Sequence, residues 1–349
     1  MNRIIEDDVG SIANSIEYEK LRGKSVLITG ATGMLASYIV FLLHHLNQTQ
    51  QCNIQIWLLV RSSVKAQTKF GGILEDDFVH VVVQDVCSPI EIAGSIDYIV
   101  HGASMADPHS ISERPFEVIK ANSVGTFQVC EFARQKKSKV LFLSTREVYG
   151  EVSGYPKKIN EHMYGALDPM NARNCYPESK RVAEATLLSC YNEYGVPFNI
   201  VRIAHAFGPG MAIDNDGRIS ADLMHSMVNH ENVVLKSDGT MKRAFCYVAD
   251  AVCAIMLVLL NGETGAVYNI ANETEETTVV ELANKIASAV NRTVCFQAQD
   301  KTENCKQYLQ TPRVPLDVTA LQKLGWTPKV SLWDGIMRTY NYNITEHHA

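Results

Sequence analysis

Residues 24–46 leave this chain few architectures to choose from. Val26 to Ile28 is a short apolar run. Gly30 and Gly33 interrupt it, and the stretch from Ser37 (SYIVFLLHHL) is apolar enough for a buried helix. A strand, a glycine turn and a helix, in that order, bring backbone N–H groups and a helix N-terminus to one point, which suits a pyrophosphate. The spacing is G-x-x-G-x-x-A, and Ala36 supplies the small third residue that lets helix and strand pack closely. Gly30, Thr32, Gly33, Met34 and Leu35 are therefore the candidate cradle of a dinucleotide cofactor.

The pattern then repeats. Apolar strands are predicted at 54–60, 79–83, 98–101 and 139–143, with a helix at 116–134 between the last two. Alternation of this kind predicts an α/β fold with a doubly wound parallel sheet of the Rossmann type and a smaller C-terminal α/β lobe. The expected division is a helical extension over 1–22, a dinucleotide-binding domain over 23–204 and a substrate lobe over 205–343, with 248–270 returning to pack on the first domain. Ile4, Ile5, Val9, Ile12 and Ile16 form an apolar stripe along the extension, suited to packing on the body or on a partner subunit.

Ligands of such sheets sit at the C-terminal ends of the strands. The residues there are Arg61 and Ser62, then Asp85 and Val86, then Ala103 and Ser104, with Asn122 in the following helix, and finally Thr145, Arg146 and Glu147. An acid commonly follows the second strand and holds the adenosine ribose of NAD. Arg61 and two serines stand there instead and suit a 2′-phosphate, so NAD and NADP both remain open. Asp85 is placed to accept from an adenine amino group.

Tyr176-Pro-Glu-Ser-Lys180 adds the chemistry. Four residues apart on a helix, Tyr176 and Lys180 share a face, and Pro177 is tolerated in the first turn. An ammonium beside a phenol is expected to lower the tyrosine's pKa and make it a base for a sugar or alcohol hydroxyl beside a nicotinamide.

Composition narrows the partners. A net charge of −6 argues against coating nucleic acid. Nine cysteines, an odd number with no C-x-x-C pair, read as reduced thiols of a cytoplasmic protein and predict no metal site. The acidic start is not expected to be a signal peptide, and the longest apolar run, 251–260, is too short to span a bilayer.

In its motifs the chain resembles the extended short-chain dehydrogenase/reductases that modify nucleotide sugars. The motifs are TGATGMLA at 29–36, N-x-x-G-T at 122–126, STREVYG at 144–150, YPESK at 176–180, RIAHAFGPG at 202–210, DGRIS at 216–220, RAFCYVADA at 243–251, R-x-P-x-D at 313–317 and LGW at 324–326. Within that family it is most similar to the UDP-glucuronate decarboxylases and dTDP-glucose 4,6-dehydratases. The resemblance implies a tightly bound NAD or NADP and a nucleotide-diphosphate sugar, a UDP-sugar first. It implies a 4-keto intermediate and a homodimer formed through the 116–134 and 177–194 helices. It assigns Tyr176 as base, Lys180 as its activator, Thr145 as a hydrogen-bond partner of the 4-hydroxyl and Glu147 to the C5–C6 region. It also assigns Arg218, Arg243 and Arg313 to the diphosphate. Two positions depart from the pattern. Arg146 stands where dehydratases carry an acid, which disfavours dehydration and suits a C6 carboxylate. His205 replaces an asparagine near the sugar. Alternatives are an epimerase, a 4,6-dehydratase, an NADPH-dependent 4-keto-sugar reductase and a non-catalytic dinucleotide-binding scaffold.

Overall fold

The computed structural model describes residues 1–154, 156–214, 216–297 and 314–347. The apolar run at 26–28 becomes part of the strand Ser25–Thr29, whose residues Val26, Leu27 and Ile28 are wholly buried. It pairs in parallel on both sides, Val26 with Ile56 and with Tyr98. Seven strands form the sheet in the order Val267–Ile270, Phe198–Ile203, Lys139–Thr145, Tyr98–His101, Ser25–Thr29, Gln55–Val60, Val79–Val83. Every neighbouring pair is parallel. This is the doubly wound sheet expected from the sequence. Its order reverses between Ser25–Thr29 and Tyr98–His101, and a crevice at that switch point is where such sheets take ligands.

Helices cover both faces because the strands are apolar on both sides. Met34–Gln50 and Val248–Asn261 lie on one face with the N-terminal helix Arg3–Ala13 against them. Pro115–Lys136 and Cys175–Tyr194 pack side by side on the other. The N-terminal stripe faces the body of the same chain: Ile5, Val9 and Ile12 are buried. Asp8 pins it there. Its carboxylate accepts from Tyr38 at 3.1 Å, Tyr247 at 2.6 Å and Arg338 at 2.6 Å. Burial raises the Asp8 pKa against the lowering effect of these partners.

In the second lobe the short strands between 233 and 247 do not pair with each other. Val233–Leu235 runs parallel to Val294–Phe296, and Lys242–Ala244 runs antiparallel to Glu276–Thr278. Gly239, at φ +70°, turns the chain onto the start of helix Val279–Ala289, where Val280 N–H donates to its carbonyl at 3.0 Å. That helix start is held by a capping box between Thr278 and Glu281.

Candidate active site

The glycine turn is shaped by contact with the neighbouring strand end. Gly30 has φ +66°, and a Cβ there would lie 2.7 Å from the Cα of Ala103. Only glycine meets both conditions. Gly33 is the N-cap of Met34–Gln50 and offers no capping side chain, so the first-turn amides stay open for an anion. Ser104 Oγ and Asn122 Oδ1, on the same rim, are buried with no hydrogen-bond partner. Open amides beside two unsatisfied buried polar atoms fit a dinucleotide with a polar nicotinamide end.

The turn is tied to the Asn122 helix through His101. Thr126 uses its hydroxyl hydrogen on the Asn122 carbonyl at 2.5 Å. It must therefore accept from His101 Nε2 at 3.1 Å. The ring is neutral, so Nδ1 accepts from the Thr29 hydroxyl at 2.8 Å. Thr29 in turn accepts from Ala103 N–H at 3.2 Å. Complete burial and the nearby Lys180 push the His101 pKa down to about 3. It serves as a fixed strut.

Asp85 closes an Asx turn, accepting from Cys87 N–H at 2.8 Å. That hydrogen bond, more than the Arg61 charge, keeps its carboxyl below the usual range. Val86 is buried behind it. Arg61 is exposed at the end of Gln55–Val60, and Ser62 caps the helix Ser63–Phe70 by accepting from Lys65 N–H at 3.2 Å.

At the end of Lys139–Thr145 the chain turns into the short helix Arg146–Tyr149. Thr145 Oγ1 accepts from Glu147 N–H at 3.2 Å, which leaves its hydroxyl hydrogen for the Tyr176 phenol. Tyr176 and Lys180 lie on Cys175–Tyr194, both buried. Asn122 Nδ2 donates to Ser179 Oγ at 2.9 Å and thereby locks this helix to the cofactor rim.

The electrostatics differ from the sequence expectation. Tyr176 has its pKa raised, first by burial and second by the Glu147 charge. Lys180 makes its hydrogen bond elsewhere. Its Nζ donates to the Leu143 carbonyl at 2.9 Å, lies 4.5 Å from the Phe142 ring centroid and 5.9 Å from that of Tyr176. Burial pulls its own pKa down to about 7, with Glu184 opposing. Thr145, Arg173 and Arg218 act on Tyr176 in the lowering direction. Glu184 is itself fixed by a near-buried fork from Arg202, at 2.6 and 3.1 Å, and by Ser144 at 2.6 Å.

Other expected residues are placed as follows. Arg146 donates to the Val314 carbonyl at 3.3 Å. Arg218 grips Asp216 with Nε and Nη2, at 2.5 and 2.6 Å, and its charge reaches Tyr176. Arg243 donates to the Lys242 carbonyl at 3.0 Å. His205 takes φ +44°, with its ring 6.0 Å from that of Phe245. Arg313 lies outside the described residues. The residue that sequence reading missed is Arg173. It pairs with Glu147 at 3.1 Å and has a second guanidinium nitrogen, Nη1, buried without a partner. Its signal was its position, three residues before Tyr176.

Residues 26–271 match the model of the NAD dependent epimerase/dehydratase family. The chain belongs to that family. The match bears out the resemblance drawn from the motifs. Among relatives, UDP-glucuronic acid decarboxylase 5 of Arabidopsis thaliana is 30% identical over 311 residues, covering 89% of this chain and 86% of that protein. UDP-glucuronic acid decarboxylase 1 of Xenopus tropicalis is 28% identical over 91% of this chain and 72% of that protein. Among solved structures, the dTDP-glucose 4,6-dehydratase DesIV of Streptomyces venezuelae, determined with NAD bound, superposes with a TM-score of 0.79 at 22% identity, over 93% of this chain and 98% of that one. An epimerase of Methanothermobacter thermautotrophicus gives a TM-score of 0.81 at 20% identity, over 97% and 96%. Family members of this kind are NAD-dependent, and no described helix is long and apolar enough to cross a membrane.

Proposed function

We propose that this chain decarboxylates a nucleotide-linked uronic acid through a 4-keto sugar, with UDP-glucuronate as first substrate. The observation that carries the reading is the Thr145–Tyr176 pair beside a Glu147–Arg173 ion pair at one strand end, in a chain 30% identical to a UDP-glucuronic acid decarboxylase across most of its length. A nicotinamide cofactor, held by the glycine turn, Asp85, Ala103, Ser104 and Asn122, supplies the acceptor for the C4 hydrogen. Tyr176, once ionised, takes the proton of the 4-hydroxyl, and Thr145 donates to the same oxygen. A ketone at C4 turns the C6 carboxylate into a β-keto acid, which loses CO2 readily. Glu147 stands at that end of the sugar. No acid occupies position 146, so a departing 6-hydroxyl lacks the donor that dehydration needs.

Arg243 and Arg313 are our candidates for the diphosphate, with Arg218 held ready by Asp216. The cofactor is either NAD or NADP, bound tightly enough to be carried through turnover. Arg61 and Ser62 support a 2′-phosphate. The partner in solution is a second copy of the chain. Phe116 and Phe127 on Pro115–Lys136 and Val182 and Leu188 on Cys175–Tyr194 are 74%, 55%, 49% and 49% exposed, an apolar face on two adjacent helices. The described cysteines are free thiols, as suits a cytoplasmic setting.

Incubation with UDP-glucuronate and NAD or NADP, followed by mass spectrometry, yields a sugar nucleotide lighter by one CO2. An unchanged substrate mass with either cofactor contradicts decarboxylation. The mass of the cofactor released on denaturing the purified protein decides between the two dinucleotides.

A further inference from the structure

Arg173 is unusual among the charged groups near Tyr176. Arg218 has both Nε and Nη2 on Asp216, and Arg146 reaches the Val314 carbonyl. Arg173 sits in the short helix Ala172–Asn174, directly ahead of the Tyr176 helix, and its backbone is fixed by the Asn171 side chain at 3.1 Å. Its Nη2 lies on Glu147 at 3.1–3.2 Å. Its Nη1 is buried and donates to nothing, and among the described residues no other guanidinium nitrogen is left in that state. A buried charged donor without an acceptor is costly, and the cost is removed by an acceptor that arrives with a ligand. The ligand group that fits is an anion, because the donor is cationic and one carboxylate is already seated on the other branch of the same guanidinium.

We infer that Arg173 receives the carboxylate of the sugar substrate. This rests on the uronic-acid reading given above and adds the residue that would select for it. One guanidinium then bridges two carboxylates, Glu147 on Nη2 and the sugar C6 carboxylate on Nη1. The substrate carboxylate is placed beside Tyr176, three residues along the chain. Loss of CO2 returns Arg173 to its resting pair with Glu147, so product is held less tightly than substrate at this point. A neutral 6-hydroxymethyl sugar leaves Nη1 unsatisfied and is disfavoured.

The test compares UDP-glucuronate with UDP-xylose, the same nucleotide sugar without the carboxylate, by calorimetry on the cofactor-loaded protein. Arg173→Gln weakens UDP-glucuronate by roughly 10- to 100-fold, the range for a lost hydrogen bond to a charged group, while UDP-xylose changes by less than about threefold. Unchanged UDP-xylose binding also reports an intact fold. Arg173→Lys keeps the charge without the fork and gives an intermediate loss. The double variant E147Q/R173Q separates direct contact from shielding. If Arg173 receives the carboxylate, the double variant stays weak; if it only screens Glu147, affinity recovers and the inference is overturned. Equal losses for both ligands overturn it as well. A wild-type protein with no preference for UDP-glucuronate overturns the uronic-acid reading itself, whereas a preference that survives in Arg173→Gln overturns the Arg173 assignment alone.

Discussion

Tyr176→Phe lowers kcat by about 10²- to 10⁴-fold, the range for loss of a positioned acid–base group, and leaves the dissociation constant for UDP-glucuronate nearly unchanged. The phenol oxygen faces the Thr145 hydroxyl and stands in the combined field of Glu147, Arg173 and Arg218. Phenylalanine keeps the ring and its packing with Met105, Ile111 and Val118. Steady-state rates and calorimetry on the same samples check both halves. Because burial and Glu147 raise the Tyr176 pKa, the wild-type rate climbs with pH on the acid side of its profile. Glu147→Gln removes the second cause and moves that limb to lower pH. Turnover by Tyr176→Phe at the wild-type rate would remove the tyrosine from the chemistry.

Lys180→Met stabilises the cofactor-free protein, as expected where a charge is buried without an ionic partner at hydrogen-bond distance. The sign follows from proton binding. In the unfolded chain the lysine titrates near 10.5, and in the folded chain near 7. Between these values the unfolded state holds the proton and the native state does not, so stability rises with pH. The destabilising contribution is complete below about pH 7 and vanishes as pH approaches 10.5. Methionine lacks it. After allowance for the lost bond to the Leu143 carbonyl, the gain at neutral pH is on the order of 1–3 kcal/mol. Denaturant melts at pH 7 and pH 10 should show the gap between variant and wild type shrinking at the higher pH. A variant less stable than wild type at pH 7 would mean that the buried ammonium is better compensated than the geometry indicates.

What the sequence disclosed and what it hid divide along a physical line. The sheet was legible because each strand is a short apolar run with turn residues at its end, and because Gly30 and Gly33 interrupt such a run just before a buried helix. Local pattern and tertiary demand agree there. The site residues at strand ends were legible for the same reason, since strand ends of a doubly wound sheet converge. Pairwise geometry was not. Nothing local tells that Lys180 turns to the Leu143 carbonyl rather than to Tyr176, because the choice depends on Phe142 and Leu143 from another strand. The sequence singles out Arg146 for an anion and passes over Arg173, whose ion pair with Glu147 shows only in three dimensions. Asp8, whose partners are Tyr38, Tyr247 and Arg338, depends on contacts spread across the whole chain. In the second lobe the strands are two or three residues long, too short to carry a period, so their pairing is not legible from the sequence.

The central claim is that oxidation at C4 precedes loss of CO2 and is reversed before product leaves. UDP-glucuronate carrying deuterium at C4 tests it directly. The account predicts a slower reaction with the labelled substrate and a product that still carries the deuterium at C4, read by mass spectrometry and NMR. A decarboxylated product whose C4 label has been lost to solvent would contradict it.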